Sequence, residues 1–493
     1  MVKRGIRHSR RDKRNRHNRV NDDPLQPTTP EENKDKVRGE GYKLTTDEEK
    51  QNKLFESYYK AQQIVPDEEW DTFMETLRRE LPASFRLVGC KQETEALLRL
   101  IMQRYVSHFD QACSSSVDCQ RVRAPKEIPW YPGGLGFQIT LPRSEIRKHP
   151  FLSKFHNFLI TETELGHISR QETVSMIPPL LLDVQPKHKI LDMCAAPGSK
   201  TVQLIEMLHA DESTAVPEGF VVANDVDNGR CYLLVRQALK RLQSPCCVVT
   251  NHDASQMPKI RGNCDQPFIL FDRVLCDVIC SGDGTFRKNI NIWKHWTPKH
   301  ALTLHSLQFR IAKRGLELLA PDGLLVYSTC SFNPVENEAI VAALLKYGQG
   351  ALELVDVSDK LVALKRSPGL LSWKVMDNKG REYSQIAEMP EKLRAKLMDT
   401  VFPPDLQTAE SMHLDRCVRI LPHHQDTGGF FVAVIRKTQH FSWMKDCSSA
   451  DGKPYRPPTK KRKGAVYREN PFVFFSEDDA RWTNLRYGTT SAL

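Results

Sequence analysis

The chain has no apolar run approaching the ~20 residues of a membrane span, and its polar, basic N-terminus lacks the apolar core of a secretory signal. Its thirteen cysteines contain no C-x-x-C pair, which argues against a disulfide scaffold or a paired-cysteine zinc site and suits a reducing compartment. His423 and His424 are adjacent, but no cysteine or acid stands at ligand spacing beside them, so no metal is expected. A phosphate-binding P-loop is missing too. At the one turn that resembles it, Met193 takes the first glycine position and Ser199 separates Gly198 from Lys200. That turn also lacks the G-x-G-x-x-G dinucleotide fingerprint.

What is present begins with size and charge. A chain of 493 residues has room for two or three domains and a substantial core. The net charge of +10 suggests a polyanionic partner, although part of the excess sits in tails. Lys3, Arg4, Arg7, Arg10, Arg11, Lys13, Arg14, Arg16 and Arg19 form a basic arm, either for RNA contact and nuclear import or as a solubilising tail. Residues 1–45 are too polar to bury a core and are expected to be disordered. The expected order is a tail over 1–45, a first folded region over 46–170, a second over 171–440, and a polar segment over 441–493. The last carries the Lys460–Lys463 cluster and the apolar Pro471–Phe475 stub.

The chain is organised around Lys189–Thr201. Ile190 and Leu191 read as the end of a buried strand, and Thr201 opens a helical run. Between them Cys194, Ala195, Ala196, Pro197, Gly198, Ser199 and Lys200 form a turn with little bulk over it. Such a turn lets a ligand approach backbone N–H groups, and the helix start favours an anionic group. Further strands are expected to end at Asp225, Asp253 and Asp277, which, with Asp192, sets four acids along the carboxyl edge of one sheet. Each alone is an ordinary turn acid; together they suit a ligand with a ribose and a polar head.

Elsewhere, Leu54, Phe55, Tyr58 and Tyr59, then Trp70, Phe73, Met74 and Leu77, follow helical spacing. Trp130 and Tyr131, near Arg121, Arg123 and Lys126, could stack bases or pack in a core. Ser169 and Glu172 are spaced as a capping box. Arg287, Lys288 and Lys294-His295-Trp296 form a basic-aromatic stretch, and Asn333-Pro334-x-Glu336 resembles a helix start. A closing hairpin is expected over 417–435. Two cysteines, Cys280 and Cys330, fall on turns at the ligand edge, where a thiolate near a helix start is a competent nucleophile.

The segments Asp192–Thr201, Cys276–Thr285 and Tyr327–Ser331, in this order, resemble the Sun-domain family of RNA (cytosine-5) methyltransferases, in particular its eukaryotic tRNA-modifying branch. The resemblance implies an α/β fold: a Rossmann-like S-adenosylmethionine-dependent methyltransferase sheet with helices on both faces, beside a mixed N-terminal RNA-facing domain. It implies S-adenosyl-L-methionine as cofactor, with the Cys194–Lys200 turn at its methionine end, Asp225 at the ribose, Asp253 near the adenine and Asp277 at the transfer site. It makes Cys330 the nucleophile and gives Cys280 a part in release. It further implies RNA, chiefly tRNA, as partner, a monomer without metal or membrane, and a nuclear, even nucleolar, location. One position departs from the family: Ile279 stands where the family has proline, and proline would fix φ while isoleucine does not. A catalytically weakened RNA-binding relative is therefore the alternative. Methylation of DNA or of a small molecule fits the motif order and the basic tails less well.

Overall fold

The computed structural model describes residues 50–443 apart from 91, 108–123, 140–149, 212, 215, 263–267 and 396. The basic arm, Arg121, Arg123, the Lys460–Lys463 cluster and Pro471–Phe475 lie outside the described residues.

Four short strands, β1 (Ala83–Leu87), β2 (Lys126–Glu127), β3 (Gly136–Ile139) and β4 (Ile168–Ser169), make an antiparallel sheet in the order β2-β3-β1-β4. Phe85, Leu87, Phe137 and Ile139 from this sheet pack with Phe155 and Leu159 from the Pro150–Leu165 helix.

The larger sheet contains β5 (Lys189–Asp192), β6 (Phe220–Asn224), β7 (Cys247–Thr250), β8 (Phe271–Asp277) and β9 (Leu319–Thr329), all parallel, in the order β7-β6-β5-β8-β9. The short strands β10 (Leu352–Leu354) and β11 (Ser367–Pro368) join its far side, while β12 (Val375–Met376) and β13 (Glu382–Tyr383) pair apart from it. The expected closing hairpin is β14 (Val418–Ile420) and β15 (Phe430–Lys437), with β15 antiparallel to both β14 and β9.

Period-two alternation explains the layering. Ile190, Val221, Leu275 and Val326 face one core with Leu204, Ile205 and Leu208 of the Ser199–Leu208 helix. Leu191, Val222, Val274 and Leu325 face the other core, with Ile311, Leu316, Ile340 and Leu344 of the Pro298–Leu318 and Glu338–Gly348 helices. The expected sheet with helices on both faces is therefore present. The chain moves outward from β5 through β6 to β7, then returns to β8 on β5's other side. Ligands of open α/β sheets bind at the carboxyl ends beside such a reversal.

The Lys53–Gln62 and Trp70–Arg78 helices pack against this carboxyl end. Phe55, Tyr58, Tyr59 and Phe73 share a core with Phe286, Trp293, Trp296 and Phe332. Asn52 caps the first helix, accepting from Phe55 N–H at 3.0 Å, and its amide donates to the Trp293 carbonyl at 2.9 Å.

Several local expectations are corrected. Ser169 and Glu172 form no capping box: Ser169 pairs with Arg86 across β1 and β4, and the Glu172 carboxylate takes the Lys288 ammonium. Pairing across the sheet outweighs the local cap. Trp130 and Tyr131 are buried, so they are core residues and not a stacking platform. Trp293 and Trp296 are buried, and Arg287 donates to the Thr427 carbonyl at 2.8 Å and to Asp426 at 2.6 Å, so much of the expected basic-aromatic stretch is interior. The helix expected at Asn333 begins only at Glu338.

Candidate active site

The four acids do share the carboxyl edge. Asp192 ends β5, Asp225 follows β6, Asp253 follows β7 and Asp277 ends β8. The turn after β5 leads into the Ser199–Leu208 helix, whose N-terminus has no side-chain cap. Gly198 makes this turn possible. Its φ of +112° lies in the region that favours glycine, and a Cβ there would meet Leu234 Cδ1 at 3.0 Å and Gln237 Cβ at 3.2 Å.

Each acid is held differently. Asp192 is buried and accepts from Thr201 Oγ1 at 2.8 Å; burial pushes its pKa up to about 7. Asp225 is buried and accepts from the Ala196 and Asp227 N–H groups at 3.2 and 3.0 Å. Asp253 accepts from the Ser255 N–H and hydroxyl at 2.9 and 2.8 Å. Asp277 accepts from Lys200 Nζ at 2.7 Å and Ser328 Oγ at 2.8 Å. Burial alone would lower the Lys200 pKa, but the Asp277 charge outweighs it and holds the ammonium above the usual lysine value. Cys194, within the turn, has its thiol pushed up by burial and by Asp192.

The structure also brings the two candidate cysteines together. Cys280 lies beyond β8 and Cys330 just beyond β9, and their Sγ atoms are 3.3 Å apart as free thiols. The Cys280 pKa is raised well above the ordinary thiol value, first by its hydrogen bond with Cys330 and then by burial. The Cys330 carbonyl accepts from Gly284 N–H at 2.9 Å. Gly284 packs so closely that a Cβ would sit 2.3 Å from the Gly429 carbonyl.

Three residues here had no signal in the sequence. Glu336, which resembled a helix-start acid, is buried between the cysteine turns. Asp283 is buried and accepts from the Tyr59 hydroxyl, from Trp296 Nε1 at 2.9 Å and from Phe332 N–H at 2.7 Å. Tyr59 arrives from the N-terminal helix, so the Cys280 loop is braced by a segment far away in sequence. Gln308, on the Pro298–Leu318 helix, donates to the Ile279 carbonyl at 2.9 Å.

The histidine pair also has a partner that its spacing did not show. Glu69 Oε2 lies 2.7 Å from His423 Nε2 and 3.6 Å from His424 Nε2. The fold corrects the expectation that no acid accompanies the pair. The Nδ1 atoms of both histidines are buried without a partner among the described residues. A metal-ligating imidazole needs its other nitrogen held, so the trio fits a clasp from an N-terminal turn to the hairpin loop better than a metal centre.

The donor set fits a cofactor with a ribose and an amino-acid head. It offers acids at the ends of adjacent parallel strands, a small-residue turn, and an uncapped helix start that favours a carboxylate. The model of the 16S rRNA methyltransferase RsmB/F family matches residues 179–436. The chain is 45% identical over 469 residues to tRNA (cytosine(34)-C(5))-methyltransferase of Drosophila melanogaster, an alignment spanning 88% of this chain and 63% of that protein. It is 43% identical over 477 residues to the multisite-specific tRNA:(cytosine-C(5))-methyltransferase trm4b of Schizosaccharomyces pombe, spanning 87% of this chain and 68% of that protein. The crystal structure of a methyltransferase homolog protein from Pyrococcus horikoshii matches the fold with a TM-score of 0.52 at 25% identity, covering 79% of this chain and 96% of that one. The match to the fly protein thus takes in less than two thirds of its length. With the family model matching more than half of this chain and the sheet, turn and cysteine pair in place, the chain belongs to the RsmB/F, Sun-domain, family of methyltransferases.

Proposed function

We propose that this chain transfers a methyl group from S-adenosyl-L-methionine to C5 of cytosine in RNA, with tRNA as the substrate. The meeting of Cys280 and Cys330 at the carboxyl ends of β8 and β9, one strand from the strand-order reversal, carries the reading. The names of the fly and yeast relatives favour tRNA over other RNAs.

The 194–200 turn and the helix start would hold the methionine end of the cofactor, Asp225 the ribose, and Asp253 the adenine side. When bound, S-adenosylmethionine supplies an electrophilic methyl group that cytosine C5 is too weakly nucleophilic to take unaided. The Cys330 thiolate answers this by adding to C6, which makes C5 enamine-like. Asp277, oriented by Lys200 and Ser328, would hold the pyrimidine by accepting from its N4 amine, while the Lys200 ammonium offsets the negative charge that shifts toward N3. Once C5 is substituted, its proton must leave before the C6–S bond can break. We assign that step to Cys280, as the family resemblance implies, and its 3.3 Å contact with Cys330 supports the assignment. The largest cause of its raised pKa is the hydrogen bond to Cys330, which ends when that sulfur is bonded to C6. The target base has to be unstacked to reach these groups, which a folded RNA loop makes less costly.

The chain is further proposed to act as a monomer without a resident metal. Nuclear or nucleolar residence is proposed from its basic clusters together with the family resemblance.

Transfer of labelled methyl from S-adenosylmethionine to unmodified tRNA transcripts tests the activity, run beside Ile279→Pro. Label on cytosine C5 at similar rates in both is expected. Label only with the proline variant would favour the weakened RNA-binding alternative, and label in neither would sink the reading.

A further inference from the structure

We propose that Glu336 is a positioning residue for this site. Through Ser281, Ser331 and Gln308 it holds the Cys280 and Cys330 turns in register, and with Gln308 it supplies the rigidity that a proline at position 279 would otherwise give. The inference rests on the two cysteines being the reacting pair.

Glu336 is fully buried. Its Oε1 accepts from Ser281 N–H at 2.8 Å and from Gln308 Nε2 at 3.0 Å. Its Oε2 accepts from Ser281 Oγ at 2.5 Å and from Ser331 Oγ at 2.6 Å. The residue following each cysteine is thus tied to one carboxylate. Four donors match the four lone-pair directions of that carboxylate. Displacing any of them would strand a buried polar group.

Gln308 completes the clamp, because the same amide that reaches Glu336 also donates to the Ile279 carbonyl at 2.9 Å. Cys280 is therefore fixed by the carbonyl before it and the N–H after it. The Ile279 side chain is 56% exposed, so its packing is not what holds the turn. A ring at 279 constrains the backbone from within; Glu336 and Gln308 constrain it from outside.

Glu336→Gln keeps the volume but sets an amide NH2 against donors, and Gln308→Leu removes the amide at similar volume. Both would be measured for kcat and KM on tRNA transcripts, cofactor Kd and thermal midpoint. A readout independent of turnover is the rate at which diamide couples Cys280 to Cys330. In that reaction the two thiols give up two electrons and two protons to the reagent's N=N bond and join as a disulfide. Each variant should lower kcat ~100-fold while leaving KM and cofactor Kd within about twofold. Diamide coupling should slow ~10-fold as the sulfurs lose their register. Adding Ile279→Pro to Gln308→Leu should restore ~10-fold in kcat.

Unchanged kcat and coupling rate would overturn the proposal. So would a parallel loss of cofactor affinity and thermal midpoint, the mark of a general core residue. No recovery with proline would overturn the substitution of clamp for ring. If the wild-type chain methylates no RNA, the functional reading fails, while the coupling rate still tests the clamp.

Discussion

Cys280 Sγ and Cys330 Sγ lie 3.3 Å apart although fifty positions separate them in sequence. The contact exists because β8 and β9 are parallel neighbours, with Asp277 opposite Ser328, so both turns leave the same edge of the sheet. Two thiols at this distance allow one to attack while the other serves release.

The two cysteines should therefore fail differently. Cys330→Ala should abolish both methyl transfer and any protein–RNA adduct. Cys280→Ala should still form the adduct but lower turnover by ~100-fold or more, as loss of a proton-transfer group does. A denaturing gel with labelled tRNA separates the two, and a Cys330→Ala variant that kept activity would reverse the assignment.

Gly198→Ala should damage the cofactor turn. The φ of +112° and the 3.0 Å approach to Leu234 would add ~1–3 kcal/mol of strain. We expect a lower thermal midpoint together with weaker cofactor binding by calorimetry. A variant with unchanged cofactor affinity would show that the turn is not the binding element.

Arg86 joins the small sheet to the cofactor helix. It is fully buried and bonds both oxygens of Glu206, at 2.8 and 2.6 Å, and Gln171 at 2.8 Å. Arg86→Met removes the guanidinium from the buried Glu206 carboxylate and should destabilise the chain by about 3–5 kcal/mol. Arg86→Met with Glu206→Leu should recover most of that loss, because no buried charge remains. Urea unfolding of the two single variants and the double variant measures the coupling.

His305 should act as an acid-sensitive point in the core. It is buried, its Nδ1 donates to the Val335 carbonyl at 2.7 Å, and its Nε2 accepts from Thr400 Oγ1 at 2.8 Å. Burial pushes its pKa down to about 4. Between that value and the unfolded value near 6.5, the unfolded chain binds the proton that the folded chain refuses, so stability falls as pH falls through this window. The advantage of wild type over His305→Gln, full above the window, should shrink by ~3 kcal/mol at its lower end. Comparing the two proteins isolates this residue from Asp192 and Glu336, whose raised pKa values act in the opposite direction. Equal pH slopes for both would contradict the assignment.

The sequence by itself determined the parts of this protein that are local. Short apolar runs bounded by turns specify the strands of the large sheet, because a parallel strand covered on both faces buries side chains of either orientation. The turn from Cys194 to Lys200 was legible because its small residues and the following helical run are contiguous in sequence. The cysteine turns were visible as strand ends. Only the tertiary structure decided which side chains meet there. Glu336 looked like a helix-start acid and became the shared acceptor of two turns. Ser169 looked like a cap and became a strand residue, and Trp130 could equally have been exposed. Glu69 reached His423 from 354 positions away. Each of these outcomes depends on desolvation and on donors supplied by distant segments. A polar side chain carried into the interior must find partners wherever the packed sheet places them, and spacing along the chain holds no record of that.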